Sequence, residues 1–162
     1  MRGVAIFIAG AVVGLAVTAF AQNSAKSPNH GIVGLNHVGI NVPDLDKAVE
    51  YYTKTLGFPE AFRQKNAQGQ VQLVYVQISQ NTFLELQPAN GRPIGVSHFG
   101  LVVDNVKDAV AMFKGRGAEV GDINVSGTKA ILSNITVPNG IRIELAELPP
   151  DSLHRQAMDH WK

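Results

Sequence analysis

The sequence predicts an α+β fold made of two βαβββ modules, and three observations carry that prediction. The segment NHVGINVPDLDKAVEYY from Asn36 is matched by SHFGLVVDNVKDAVAMF from Ser97, pairing His37 with His98, Gly39 with Gly100, Val42 with Val103 and Ala48 with Ala109. Further on, Leu84-Glu85-Leu86 is matched by Ile143-Glu144-Leu145. Between these anchors the hydrophobic period changes in the same order in both copies, from two to between three and four and back to two. A duplicated unit of this kind decides the architecture before any single element does.

Taken in order, Leu35 to Val42 alternates, with Val38, Ile40 and Val42 on one face and His37, Gly39 and Asn41 on the other, which predicts a half-buried strand. A helix follows, its apolar positions Leu45, Ala48, Val49, Tyr52 and Leu56 recurring at three- and four-residue steps. Asp44 suits its N-cap and Gly57 its C-terminal stop. Tyr51, Tyr52 and Phe113 sit at helical spacing and read as core packing. Three strands are expected over Pro59–Lys65, Gln70–Ile78 and Thr82–Gln87, with a turn at Asn66-Ala67-Gln68-Gly69. The second module repeats the order: a strand over Val96–Val103, a helix over Val106–Arg116, and strands near Glu119–Val125, Ala130–Val137 and Ile141–Glu147. The tail after Pro149-Pro150 reads as a short helix whose Leu153, Ala157 and Trp161 recur at four-residue steps and dock on the domain or on a partner subunit. His154 and His160 do not share a helical face, which argues against a second metal site there.

Composition narrows the function classes. Apolar residues make up 45% of the chain and the net charge is only +1, with no basic run, so phosphate attraction is weak and a nucleic-acid partner is not expected. The absence of cysteine removes disulfides, thiolate metal sites and a cysteine nucleophile, and leaves the redox compartment open. Met1-Arg2-Gly3, the uncharged apolar run Val4–Ala21 and the small-x-small triplet Ala19-Phe20-Ala21 predict a signal peptide over residues 1–21, cleaved before Gln22. An uncleaved N-terminal anchor is the alternative, and it alone would give the protein a membrane association. Either reading places the domain outside the cytoplasm, periplasmic or secreted. Residues 22–34 are polar and turn-rich and read as a linker, followed by one domain over 35–148 (modules about 35–88 and 96–148) and the tail 149–162.

Strand parity sorts the side chains. The apolar sets Val38, Ile40, Val42 and Phe99, Leu101, Val103 must face the helices, so His37 and His98 face away from them. Leu84 and Leu86, with Ile143 and Leu145, face the helices too, which turns Glu85 and Glu144 to the side of the histidines. If the two modules pair into one curved sheet, all four lie inside a cup. Gly39 and Gly100, on the same face, leave space there. Two imidazoles and two carboxylates suit one divalent ion of the Zn, Ni, Co, Mn or Fe group. Burying them together without a cation would be costly.

The H-x-G start of each module, the DLDKAVEYYTKTLGF helix and the PNGIRIEL ending resemble the vicinal oxygen chelate superfamily over about Gly34 to Leu148. That superfamily includes glyoxalase I, methylmalonyl-CoA epimerase, extradiol dioxygenases and the fosfomycin- and bleomycin-resistance proteins. The resemblance implies a curved mixed-sheet cup. It implies metal ligation by His37, Glu85, His98 and Glu144, from the first and last strand of each module, and a homodimer would be usual. It also implies chelation of vicinal substrate oxygens with stabilisation of an enolate, and by similarity to glyoxalase I it makes Glu144 the general base, with Glu85 the symmetric alternative. The His/Glu/His/Glu set is most similar to glyoxalase I; extradiol dioxygenases use two His and one Glu, and methylmalonyl-CoA epimerases commonly have Gln at the place of Glu85. Gly39-Ile40-Asn41-Val42 lacks the first-strand Arg with which glyoxalase I holds glutathione. Glutathione and CoA thioesters are moreover scarce outside the cytoplasm.

The expectation is therefore a metal-dependent lyase or isomerase acting on a small hydroxy-carbonyl compound. A metal-dependent oxygenase and a non-catalytic ligand-binding cup stand as alternatives. Asn41, Gln87 and Arg142 share the ligand face and are candidates to orient substrate. Tyr75 and Gln77 are candidates to line the cup. Ser126-Gly127-Thr128-Lys129 reads as a loop that either covers the mouth, with Lys129 as an anion contact, or is a plain exposed turn.

Overall fold

The computed structural model describes residues 31–161; the expected signal segment and residues 22–30 of the expected linker lie outside the described residues. The first module comprises β1 (Ile32–Val42), α1 (Leu45–Glu50, continued by a π-helical turn over Tyr51–Thr55), β2 (Glu60–Lys65), β3 (Val71–Ser79) and β4 (Thr82–Pro88). The second comprises β5 (Gly95–Val103), α2 (Val106–Gly115), β6 (Glu119–Val120), β7 (Asn124–Val125), β8 (Ile131–Thr136) and β9 (Arg142–Glu147), and α3 (Leu153–Asp159) ends the fold. Both modules feed one nine-stranded sheet in the order β2-β3-β4-β1-β5-β9-β8-β6, with β7 also on β8. Within each module the first strand runs parallel to the last, β1 to β4 and β5 to β9. The modules meet where β1 pairs antiparallel with β5.

Each helix covers its own module's outer face. Ile40, Val42, Val76, Leu84 and Leu86 pack under Leu45, Ala48, Val49 and Tyr52. Val103, Leu145, Ile135 and Ile143 pack under Val106, Ala109, Val110 and Phe113. Asp44 and Asn105 cap the two helices, accepting from the backbone N–H of Lys47 and Asp108. The concave face of the sheet carries a third cluster, Tyr75, Phe83, Val102, Ala130, Ala146 and Leu148, and Met158 and Ala157 of α3 are seated on it. Part of the cup is thus filled by the chain's own tail.

Several elements differ from expectation. β1 starts at Ile32, inside the expected linker, because Gly31 and the residues after it pair with the end of β5; the Gly31 carbonyl accepts from the Asp104 N–H at 2.9 Å. The expected α1 does not stay α-helical to Leu56. The Leu56 N–H reaches back five residues to the Tyr51 carbonyl at 3.0 Å, and this wider turn rotates Tyr51 and Leu56 to solvent, 54% and 44% exposed, in place of the expected core packing. The expected strand Glu119–Val125 is broken into β6 and β7, both on β8. In α3 the docked face is His154, Ala157 and Met158, whereas Trp161 is 38% exposed.

Because β1–β5 pairing leaves no boundary between the modules, the chain should unfold as one unit. Leu86 and Leu145 are both fully buried under their helices, so Leu86→Ala and Leu145→Ala should each cost about 2–5 kcal/mol. Each should lower the whole thermal transition seen by far-UV circular dichroism, where two separable steps would contradict a continuous sheet.

Candidate metal centre

The β1–β5 register decides how the histidines sit. His37 lies opposite Gly100, and Gly39 opposite His98. Each imidazole leans over the other module's glycine so closely that a Cβ on Gly39 would clash with the His98 ring at 2.0 Å, and one on Gly100 with the His37 ring at 2.1 Å. The H-x-G spacing is therefore a steric requirement of two rings crossing at one seam. The carboxylates arrive from the parallel neighbours, with Glu85 beside Gly39 and Glu144 beside Gly100. All four residues are buried, and one ligand atom from each lies within 4.8 Å of the others.

The hydrogen bonds around this cluster leave its centre to lone pairs. His37 Nδ1 sits 2.9 Å from Asn36 Oδ1, an acceptor, so Nδ1 carries the proton and Nε2 is bare. Ser97 Oγ commits its proton to the Gly39 carbonyl at 3.2 Å and must accept from His98 Nδ1 at 2.9 Å. The two Nε2 atoms then face each other 3.2 Å apart, His37 Nε2 is 3.3 Å from Glu144 and 3.5 Å from Glu85, and His98 Nε2 is 3.3 Å from Glu85. Ligand atoms about 2.0–2.2 Å from a common centre stand about 3.0–3.5 Å from their neighbours. Two neutral imidazoles and two carboxylates at these separations fit one divalent cation in charge, donor type and spacing.

The two carboxylates are not equivalent. Glu85 accepts from the Tyr75 hydroxyl at 2.6 Å. Burial pushes its carboxyl up; in the metal-free centre with the imidazoles protonated, the His98 contact, the charges of His37 and His98 and the Tyr75 bond lower it to about 2. Burial, followed by the charges of Glu85 and Glu144, keeps the Tyr75 phenol well above its ordinary value, so Tyr75 remains a donor. In the second module the place of Tyr75 is taken by Asn134, beside Glu144. Asn134 gives Glu144 no hydrogen bond, and its Oδ1 is buried without a partner among the described residues. Arg142 approaches Glu144 only to 3.9 Å with its side chain 47% exposed. Glu144 is thus the carboxylate held by fewer partners.

A cavity of about 80 Å³ opens onto His37, Glu85 and Glu144 and is bounded by Tyr75, Leu73, Leu132, Gln64, Ser126, Thr128 and His154. Of the residues expected to contact substrate, Tyr75 lines this cavity with its hydroxyl already given to Glu85. Asn41 is buried and donates to the Pro93 carbonyl at 2.8 Å. Gln87 donates to Ser97 Oγ at 3.3 Å and accepts from Arg92, which makes it a brace for His98. Gln77 donates to the Gln80 carbonyl, outside the cavity. Lys129 points outward and pairs with Asp151 at 3.3 Å, while Ser126 and Thr128 of the same loop do face the cavity. Sequence reasoning passed over Asn36 and Ser97, and it weighed His154 only as half of a second metal site with His160. The first two were visible as the polar residue preceding His in each copy.

The fold and the site together define a duplicated βαβββ protein with a paired His/Glu cluster, and the chain belongs to the Glyoxalase/Bleomycin resistance protein/Dioxygenase superfamily, whose model matches residues 34–145. It is 31% identical to human mitochondrial methylmalonyl-CoA epimerase over 129 residues, 70% of this chain and 73% of that protein. It is 29% identical to a probable chloroplastic lactoylglutathione lyase of Arabidopsis thaliana over 132 residues, 70% of this chain, which spans only 35% of that relative's length. The fold superposes on a crystal structure of methylmalonyl-CoA epimerase from Mycobacterium tuberculosis with a TM-score of 0.65 at 21% identity, covering 74% of this chain and 91% of the other.

Two outcomes follow from this geometry. Outer partners of ligating histidines commonly set metal affinity within a factor of about 10–100, so Ser97→Ala and Asn36→Ala should each weaken zinc binding by that much in a competition titration; unchanged affinity would contradict the assigned tautomers. Stability should also fall with pH. Burial, then the charge of His37, lowers His154 from 6.5 to about 3, and Glu85 is lowered from 4.5 to about 2, so in both windows the unfolded chain binds more protons than the folded one. For the metal-free protein, the urea midpoint should drop from pH 6.5 downward, and His154→Phe should flatten the part between 6.5 and 4.5.

Proposed function

We propose that the protein is a divalent-metal-dependent lyase or isomerase that moves a proton on a small hydroxy-carbonyl substrate, and that it works outside the cytoplasm. The observation that carries the reading is the convergence of two bare Nε2 atoms and two carboxylates on one point that borders a cavity. A divalent ion held by His37, Glu85, His98 and Glu144 would supply Lewis-acid polarisation of the substrate's adjacent oxygens. Glu144 is the proton acceptor: it borders the cavity and is the less restrained carboxylate, so it can swing to the carbon beside the carbonyl. Glu85 stays in place, because it accepts the Tyr75 hydroxyl bond, a bond for which Glu144 has no counterpart from Asn134. Relatives named as a lyase and an epimerase support this reaction type. The export predicted by residues 1–21 and the small cavity favour a substrate without glutathione or CoA.

The test is deuterium incorporation from D2O into hydroxyacetone and other two- to four-carbon hydroxy-carbonyls, followed by proton NMR on protein loaded in turn with Zn, Ni, Co and Mn. Glu144→Gln should slow exchange about 10²–10⁴-fold with the fold intact, whereas Glu85→Gln should chiefly weaken metal binding. Exchange at the wild-type rate in Glu144→Gln would remove it from this role. Stoichiometric iron with loss on exposure to air would favour the oxygenase alternative, and a loaded protein that binds these compounds without exchange would favour the binding protein.

A further inference from the structure

His154 is 3% exposed, and among the described residues neither of its ring nitrogens has a hydrogen-bond partner. It stands edge-on to Tyr75 and Phe62, with ring centroids 4.6 and 4.9 Å away, and is stacked 6.1 Å from His37. A buried polar group left without a partner is uncommon and calls for an explanation. Nothing in the packing requires an imidazole here, since the neighbouring rings would accommodate an apolar side chain. What distinguishes the position is the cavity: His154, carried by α3, is one of its lining residues, together with His37, Glu85 and Glu144.

The wall is tied down. The Leu153 N–H donates to the Thr128 carbonyl at 2.9 Å, Lys129 pairs with Asp151 at 3.3 Å, and Gln64 of β2 is in contact with Gly127. The helix α3 and the 126–129 loop therefore border the centre as one piece, and the partly open cavity of about 80 Å³ is several-fold smaller than the roughly 300–1,000 Å³ of clefts that hold drug-sized ligands. We propose that His154 is the second polar anchor of this site: it hydrogen-bonds the far hydroxyl or carbonyl of a compact hydroxy-carbonyl substrate whose adjacent oxygens lie at the metal centre, and α3 excludes substrates that carry a long arm. This rests on the chelation reading above and narrows its substrate class. An imidazole with both nitrogens free offers one donor and one acceptor, which suits a hydroxyl or a carbonyl equally.

The test uses three hydroxamates as probes on the zinc-loaded protein, with calorimetric affinities. Acetohydroxamate offers only the two adjacent oxygens, glycolohydroxamate adds one far hydroxyl, and octanohydroxamate adds a long arm. Wild type should prefer glycolohydroxamate over acetohydroxamate by about 5–10-fold, the size of one hydrogen bond, and octanohydroxamate should bind far more weakly than either. In His154→Phe and His154→Leu the preference for the hydroxyl should vanish while acetohydroxamate affinity stays within about 3-fold of wild type. Equal affinities in wild type, a preference that survives in the variants, or binding of octanohydroxamate as tight as that of acetohydroxamate would overturn the proposal. The wild-type comparisons stand even if a variant fails to fold. If zinc binds and no hydroxamate does, the chelation reading itself fails, and this inference with it.

Discussion

Because β1 and β5 pair antiparallel about a point between the two H-x-G segments, each imidazole is laid across the other module's glycine. That crossing determines where everything else goes. The parallel partners β4 and β9 can only present Glu85 and Glu144 from either side of the pair. The helices are confined to the outer face by the alternation of the same strands, and the concave face is left to the site and to α3. Neither module alone owns the centre: one His and one Glu come from each, so the site exists only when the sheet is continuous.

Symmetry builds the centre, and departures from symmetry shape its chemistry. Tyr75 and Asn134 occupy equivalent positions beside the two carboxylates, and only the tyrosine donates. Phe83 lies next to His37 where Arg142 lies next to His98. The first module's part of the cup is consequently aromatic, whereas the second sets a half-exposed arginine beside its carboxylate, and α3 lies over residues of both. The two carboxylates, identical in a perfect duplication, become a clamped ligand and a less restrained one. A single ion between them would see two chemically different oxygens, a division of labour that proton transfer beside a polarised carbonyl can use.

The centre was legible because duplication and parity act together: four residues at matched positions, each on the face opposite an apolar stripe, leave few other arrangements. The glycines were legible as space, although their crossed pairing with the histidines depends on the β1–β5 register, which no local pattern encodes. Asn36 and Ser97 were on the page as the residue before each His, yet parity assigns neighbours to opposite faces, and only the curled side chain returns to Nδ1. The π-helical turn after Glu50 was hidden because Leu56 completes a regular helical period; the widening is seen in the bond to Tyr51 rather than in the residue types. His154 was obscured for a different reason. The tail lies outside the duplicated unit, so it has no counterpart to flag it, and the four-residue recurrence of Leu153, Ala157 and Trp161 shares only Ala157 with the face that docks.

The measurement closest to the central claim is a Co2+ titration of the metal-free protein, read by visible absorption and by metal analysis after gel filtration. One ion per chain should be retained, with ligand-field bands that report nitrogen and oxygen donors. The double substitution His37→Ala/His98→Ala should abolish retention and leave the far-UV circular dichroism of the sheet in place. Retention of the ion by that double variant, or no retention by the wild-type chain at excess metal, would contradict a four-residue centre at the β1–β5 seam.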